Sequence, residues 1–454
     1  MEHNPVIALF LALAIIIAAA RGAGAFARRL NQPRVLGELI AGVILGPTLV
    51  DLVHSSFIST DPELLEETIR ELAELGVLML MFKVGLEVHL NELLRVGTVA
   101  LIAGVVGALL PVAMTVPLVL AAGYEMIPAA FAGVALAATS VSISAQVLIE
   151  LGLLQTKEGS ALLATALIDD VVAILLVSLV VALSGPEGQV SVAELGVIVL
   201  RMVAFIGLGF AFSWFVLPRL ANYIYAHPKD GEAYGVPAFA LIAALSYGWV
   251  AEVLGGVAAI TGAFIAGVGL SQAIPPVRKE IGLAVTNIAY AFLVPIFFVS
   301  IGLTADLSAF PLSAIPFTLA LIAAAVVSKV LGCGISARLG GFSNKESLRL
   351  GVCMVSRGEV GLIIAALGLS SGVFAADSPL FASLFMVILL STMLTPPLVR
   401  LVFRAEPDSR DPAAADQQTG TASPGPVSPG EPAAHQHLPV SPVVTPLEPT
   451  GDKV

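Results

Sequence analysis

Asp169 and Asp170 stand side by side in TALIDDVVAILLVSLVVAL, residues 165–183, a stretch otherwise suited to hydrocarbon. An ionisable group at a bilayer centre costs at least about 2.5–3.5 kcal/mol on insertion scales, so such groups are rare and usually functional. On a helix, adjacent side chains diverge by about 100°. The two acids therefore do not converge on one cavity, which argues against an intramembrane aspartyl protease with two facing carboxylates. One acid can meet a permeant cation while the other faces a neighbouring span. Desolvation disfavours the charged form of a carboxylate or a lysine, and pairing the two opposes that penalty. An aspartate poised in this way holds either a proton or a cation, and competition for one site is the minimal chemistry of exchange. For Asp169 the bland alternative is a static Asp–Lys pair that orders the bundle.

The other ionisable residues well within apolar stretches are Lys83, Arg201, Lys329, Arg357 and Glu359. Charges in a membrane survive by pairing or by facing water, so a shared cluster is the economical arrangement. The run AATSVSISAQ (137–146) brings Thr139, Ser140, Ser142, Ser144 and Gln146 into the preceding span. Hydroxyls at this density compete for backbone hydrogen bonds and favour local unwinding. Broken helices are where transporters coordinate ions. A second polar interruption, VSRGEVG (355–361), carries Gly358 and Gly361 beside Arg357 and Glu359. These two charges read as structural support that satisfies each other and the helix ends. Lys83 reads as a snorkelling residue or a partner of Glu87.

The elements that must hold these residues follow from composition. Of 454 residues, 57% are hydrophobic and 12% charged, against about 25% charged in soluble domains; mean hydropathy is +0.96. Apolar runs of 18 or more residues recur along the chain, the mark of transmembrane helices. The chain is read as an all-α polytopic membrane protein. Thirteen spans are expected near 6–20, 36–52, 70–90, 97–122, 127–150, 160–183, 191–217, 235–253, 257–273, 282–303, 311–337, 346–369 and 379–402. The N-terminal run lacks a basic leader and reads as a retained first span rather than a signal peptide. A net charge of −11 without a basic, aromatic-interleaved cluster gives no sign of a nucleic-acid partner. Cys333 and Cys353 read as small buried hydrophobes. Residues 404–454, rich in Pro, Ala, Ser and Gly, read as a disordered tail, in which His435 and His437 carry no expected role.

Orientation follows the basic residues of the short loops. Arg21, Arg28, Arg29, Arg34, Arg95, Lys157, Arg219, Lys229, Arg278, Lys279, Arg338, Lys345, Arg349, Arg400 and Arg404 fall on one side. The opposite loops offer Arg70 beside Asp61, Glu63, Glu66 and Glu67. The N-terminus is expected outside and the tail in the cytoplasm. The chain also repeats itself. ELIAGVILG (38–46) echoes AFIAGVGLS (263–271), LMFKVGLEVHL (80–90) echoes FFVSIGLTADL (297–307), and TSVSISAQVLIELG (139–152) aligns with VSRGEVGLIIAALG (355–368). Gly85 and Gly302 are 217 residues apart, and the third match has a shift of 216. Six spans, a linking span at 191–217 and six more make two halves of opposite orientation, the inverted repeat of secondary transporters. The positions matching Asp169 and Asp170 are Phe385 and Met386, so one half alone carries the acids.

Over roughly residues 5–403 the chain resembles the cation:proton antiporter superfamily, specifically the electrogenic sodium/proton exchangers of its second family. The resemblance rests on GELIAGVILGP, GLEV, ATSVSIS, LIDD, FFVSIGL, the lysine of VVSKVLG, and SRGEVGL. It implies a homodimer of thirteen-span protomers in a prokaryotic inner membrane. Spans 1–3 and 8–10 would form a dimer and gating domain, spans 4–6 and 11–13 a mobile core, and span 7 the linker. Unwound spans 5 and 12 would cross beside the acids. It further implies that Asp170 carries Na+ or H+, that Asp169 pairs with Lys329, and that Thr139 and Ser140 line the site. Lithium or potassium could replace sodium, and no cofactor is expected. Potassium/proton members differ in having glutamine at the position of Asp169. No Gly-rich nucleotide-binding fingerprint follows residue 404, so a nucleotide-binding regulatory domain is not expected. A sodium-coupled organic-anion symporter can share the fold, but adjacent acids with an intramembrane lysine favour ion exchange; a passive channel would need a filter loop that does not appear.

Overall fold

The computed structural model describes residues 5–55, 58, 61–88, 95–184, 192–227, 234–304, 310–374 and 378–403. The tail, residues 404–454, with His435 and His437, lies outside the described residues. Every described element is helical. In chain order these are α1 (Pro5–Arg29), α2 (Arg34–Leu45), α3 (Pro62–Glu87), α4 (Gly97–Ala121), α5 (Met126–Ala137), α6 (Val141–Leu151), α7 (Lys157–Ser184), α8 (Val192–Phe215) and α9 (Leu217–Ala226). They continue with α10 (Gly235–Val250), α11 (Ala259–Leu270), α12 (Pro275–Ile288), α13 (Val294–Leu303), α14 (Ile315–Leu339), α15 (Asn344–Cys353), α16 (Glu359–Ser370) and α17 (Pro379–Phe403). Short π-helical turns at Ala251–Gly255 and Ala289–Leu293 extend α10 and join α12 to α13.

Local chemistry sets several of these ends. Asp61 caps α3 by accepting from the Leu64 amide at 3.2 Å, with Pro62 in the first turn, where a missing N–H costs nothing. Ser343 and Glu346 form a reciprocal capping box at the start of α15. Gly152 ends α6 with φ 69°, a left-handed conformation that glycine adopts without strain. Arg201 of α8 donates to the carbonyls of Val253 and Leu254, which satisfies the π-turn. Lys83 donates to Glu87 one turn along α3.

Among the described residues, nine helical segments are long and apolar enough to cross a bilayer. A helix needs about 20 apolar residues to span the hydrocarbon, and the sequence-expected spans outside this set fall short for separate reasons. Helices α2 and α11 have 12 residues each, α3 carries five acids in its first thirteen residues, and α15/α16 is interrupted. The molecule is an all-helical multi-pass membrane protein.

The shortness of α2 and α11 goes with unusually close packing. A Cβ on Gly42 would lie 2.1 Å from the Val299 carbonyl oxygen, and one on Gly302 would lie 2.5 Å from that of Leu39. A Cβ on Gly267 would lie 2.2 Å from the Phe82 carbonyl oxygen, and one on Gly85 the same distance from that of Phe264. So α2 presses on α13, and α11 on α3, through glycines that let the backbones touch, as small residues do in membrane interfaces. By packing, α1, α2, α3, α10, α11 and α13 form one group, and α4, α5, α7, α14, α15, α16 and α17 another; α6 touches both, and α17 also touches α2.

Candidate functional site

Two helices are interrupted at the middle of the second group. The first stops at Ala137 and resumes at Val141; the second stops at Cys353 and resumes at Glu359. Interruption frees backbone groups that need partners in a dry interior. The two breaks supply each other. The Ser140 amide donates to the Ser356 carbonyl at 3.0 Å, and the Ser356 hydroxyl donates to the Ser140 carbonyl at 2.6 Å. Ser144 donates to the Cys353 carbonyl at 2.5 Å, and Thr392 of α17 donates to the Arg357 carbonyl.

Arg357 is fully buried, and its guanidinium serves the frame. At 2.8 Å each it donates to Leu136 O at the end of α5, Val355 O in its own break and Ala325 O on α14. The carbonyls of Leu136 and Val355 lie at helix C-terminal ends, where the dipole favours a cation. The expected mutual pairing with Glu359 concerns a side chain outside the described residues.

One turn beyond Ala325 on α14, Lys329 donates to Asp169 Oδ1 at 2.8 Å, with side chains 0% and 1% exposed. Burying such a pair is costly, and removing one partner costs more because it strands a charge. The second oxygen, Asp169 Oδ2, has no hydrogen-bond partner, nor does the buried hydroxyl of Thr139. The Ser140 hydroxyl shares a hydrogen bond with that of Ser142 at 2.9 Å.

Asp170 points elsewhere, as its helical phase requires. It borders a cavity of about 20 Å³ that is otherwise lined by Met81, Val141, Leu163, Ala166, Leu167, Ile260, Thr261 and Phe264. A water needs roughly 10–15 Å³ by this measure, so the space suits one small occupant. Thr261 of α11 donates to Asp170 Oδ2 at 3.1 Å. Along α3, Met81 stands at this cavity, between two larger ones. A cavity of about 310 Å³ reaches Glu66, Arg70, Glu74 and Val77 toward its N-terminus. Another of about 600 Å³ reaches Lys83, Leu86 and Glu87 toward its C-terminus.

Thus Asp169 and Lys329 are together and Asp170 is one residue away at its own cavity. Thr139 and Ser140 belong to the first break, and it is the adjacent Val141 that reaches that cavity. Sequence reasoning missed Thr261, a single threonine two residues ahead of AFIAGVGLS. It also missed buried Glu38, whose electrostatic neighbours are Glu150, Arg21 and Arg34; a single acid in ELIAGVILG was the available signal. Among the described residues, no group of three or more His, Cys, Asp or Glu is arranged to hold a resident metal ion.

Comparison with known proteins agrees with this architecture. The chain is 36% identical over 397 residues to the Na(+)/H(+)-K(+) antiporter GerN of Bacillus cereus, covering 87% of this chain and 97% of that protein. It is 32% identical over 426 residues to the high-affinity Na(+)/H(+) antiporter NhaS3 of Synechocystis, covering 87% and 90%. The structure of the sodium proton antiporter MjNhaP1 from Methanocaldococcus jannaschii at pH 8 has the same fold, with a TM-score of 0.64 at 15% identity over 88% of this chain and 99% of that one. The family profile described as sodium/hydrogen exchanger, transmembrane, matches residues 11–404. With broken helices, a buried acid–lysine pair and this match along nearly all the membrane region, the chain belongs to the sodium/hydrogen exchanger family.

Proposed function

We propose that the protein is a secondary transporter that exchanges cytoplasmic Na+ or Li+ for external H+ by alternating access, and that the exchange is electrogenic. The observation that carries this reading is Asp170 beside a one-occupant cavity, between cavities near both ends of α3, with Asp169 already committed to Lys329. A carboxylate there is neutralised by one cation or one proton, so the two compete, and the exchange is electrogenic because one cation displaces the proton of Asp170 together with that of a second titrating group, Asp169 or Lys329. The names of the relatives support sodium as the cation. Potassium is the second reading, because the name of GerN includes it.

The same reading takes Asp170 as the carrier, Thr139 and Ser140 as neighbouring oxygen donors, and Arg357 and Glu359 as support. It has thirteen spans, with α5/α6 and α15/α16 as the discontinuous crossing pair. Inverted repeats draw support from the glycine contacts. Gly42 on Val299 and Gly85 on Phe264 have counterparts in Gly267 on Phe82 and Gly302 on Leu39, with the halves exchanged. Spans 1–3 and 8–10 then form a static dimer and gating domain, spans 4–6 and 11–13 the moving core, and span 7 the linker. A homodimer in the cell membrane, N-terminus outside and residues 404–454 inside, completes it.

The test is Asp170→Asn, which keeps shape and removes the titratable charge. Sodium/proton exchange in proteoliposomes should vanish while the purified protein keeps its size-exclusion profile. Exchange near the wild-type rate would end the assignment of Asp170 as carrier.

A further inference from the structure

The Thr261 to Asp170 hydrogen bond joins two groups of helices. Thr261 lies in the first turn of α11, which packs against α3 and α10; Asp170 lies on α7, which packs against α4. If one group moves past the other by more than an ångström or two, a 3.1 Å bond between them breaks. The bond therefore belongs to the arrangement seen here and not to its alternate.

Its strength also depends on what Asp170 carries. A hydroxyl donating to an ionised carboxylate makes a charge-assisted bond, roughly twice as strong as a neutral one. Asp170 also lies against the N-terminal turn of α11, whose dipole favours negative charge. A proton on Asp170 removes the charge, and a cation on Oδ2 takes the position of the hydroxyl proton. Either load weakens the bond. An exchanger stays coupled only if the empty, ionised carrier does not cross by itself.

We propose that Thr261 is a latch that holds the unloaded, ionised Asp170 against the static helices and lets go when a proton or a cation binds. Thr261 is thus a positioning residue that acts on coupling and is not itself the carrier. The proposal rests on Asp170 as carrier and on relative motion of the two helix groups. Leu163, Phe264 and Met81 line the same cavity with apolar groups, and the Thr261 hydroxyl is the polar side chain that α11 presents there.

The experiment compares wild type, Thr261→Val, Thr261→Ala and Thr261→Ser in proteoliposomes, with tracer sodium flux and internal pH recorded on the same vesicles. Valine removes the hydroxyl and keeps the shape. Without the latch the empty carrier returns by itself, so sodium moves with fewer compensating protons. The proton-to-sodium ratio should fall by about twofold or more in the valine and alanine variants, since losing a hydrogen bond to a charged group favours release of the empty carrier by about tenfold or more. Serine, which keeps the donor, should restore the wild-type ratio. A wild-type ratio in Thr261→Val, at whatever absolute flux, overturns the latch. If valine does not insert, the alanine variant decides by the same criterion. Failure of the carrier assignment is separately visible, because Asp170→Asn would then still exchange.

Discussion

The two interrupted helices meet at their breaks, yet they are built from different chemistry. The break at Ala138–Ser140 is bounded by small and hydroxyl-bearing residues and leaves the Thr139 hydroxyl buried and unpartnered. The break at Met354–Gly358 carries Arg357, which donates to three carbonyls at 2.8 Å. One break keeps an oxygen uncommitted, while the other uses its charge to close the frame. The two halves of the chain are thus unequal: the first brings the acids and an open hydroxyl, the second Phe385, Met386 and a bracing cation. The difference teaches that one interruption can leave an oxygen uncommitted while the other holds the frame.

Breaking the bracing side should have the largest effect. Arg357→Met takes a donor from the carbonyls of Leu136, Val355 and Ala325, of which Ala325 keeps the Ser328 hydroxyl. The two buried carbonyls left unsatisfied cost about 1–3 kcal/mol each, which with the lost packing of a fully buried side chain reaches the lower range of a domain's whole stability. Little monodisperse protein should survive detergent extraction. A well-folded Arg357→Met with normal melting would remove the contrast drawn between the breaks.

Next comes the pair that Arg357 braces through α14. Lys329→Met should destabilise by about 3–5 kcal/mol, because it strands Asp169 in a dry site, whereas Asp169→Leu combined with Lys329→Met should recover most of that loss. Thermal unfolding of the three proteins reads this directly. Transport then sharpens the comparison. In wild type, a diffusion potential set with valinomycin should accelerate exchange, since about 2.3 kcal/mol acts on each elementary charge per 100 mV. The double variant should fold but lose that sensitivity; if it keeps it, the pair is a brace like Arg357 and nothing more.

The smallest effect on stability belongs to the open side. Thr139→Val replaces an unpartnered hydroxyl with a methyl of similar shape, a change that should cost under about 1 kcal/mol. Its signature should appear in transport, as a raised apparent KM for sodium at little change in maximal rate. An unchanged KM would mean that the open oxygen serves no ion.

Much of this was legible in the chain. Hydropathy adds up locally, so long apolar runs announced a multi-pass helical protein without any knowledge of packing. The acids in LIDD, the hydroxyls of ATSVSIS and the glycines of VSRGEVG marked the carboxylates and both interruptions, because each breaks a local rule of membrane helices. The repeated glycines of AGVILG and AGVGL were visible as an echo, though not as contacts. What the sequence by itself determined was therefore the class of the molecule, the residues out of place in hydrocarbon, and their helical phase.

Only the tertiary structure decided partners. That Arg357 spends itself on Leu136, Val355 and Ala325, that Gly42 meets Val299 while Gly267 meets Phe82, and that Thr261 reaches Asp170 from 91 residues away are facts of helix packing. The physical reason is that a hydrogen bond or a close approach depends on rotation and offset between distant helices. Those are set by the sum of many weak contacts rather than by any short stretch of residues. A local pattern shows which groups must find a partner; only the packed bundle supplies it.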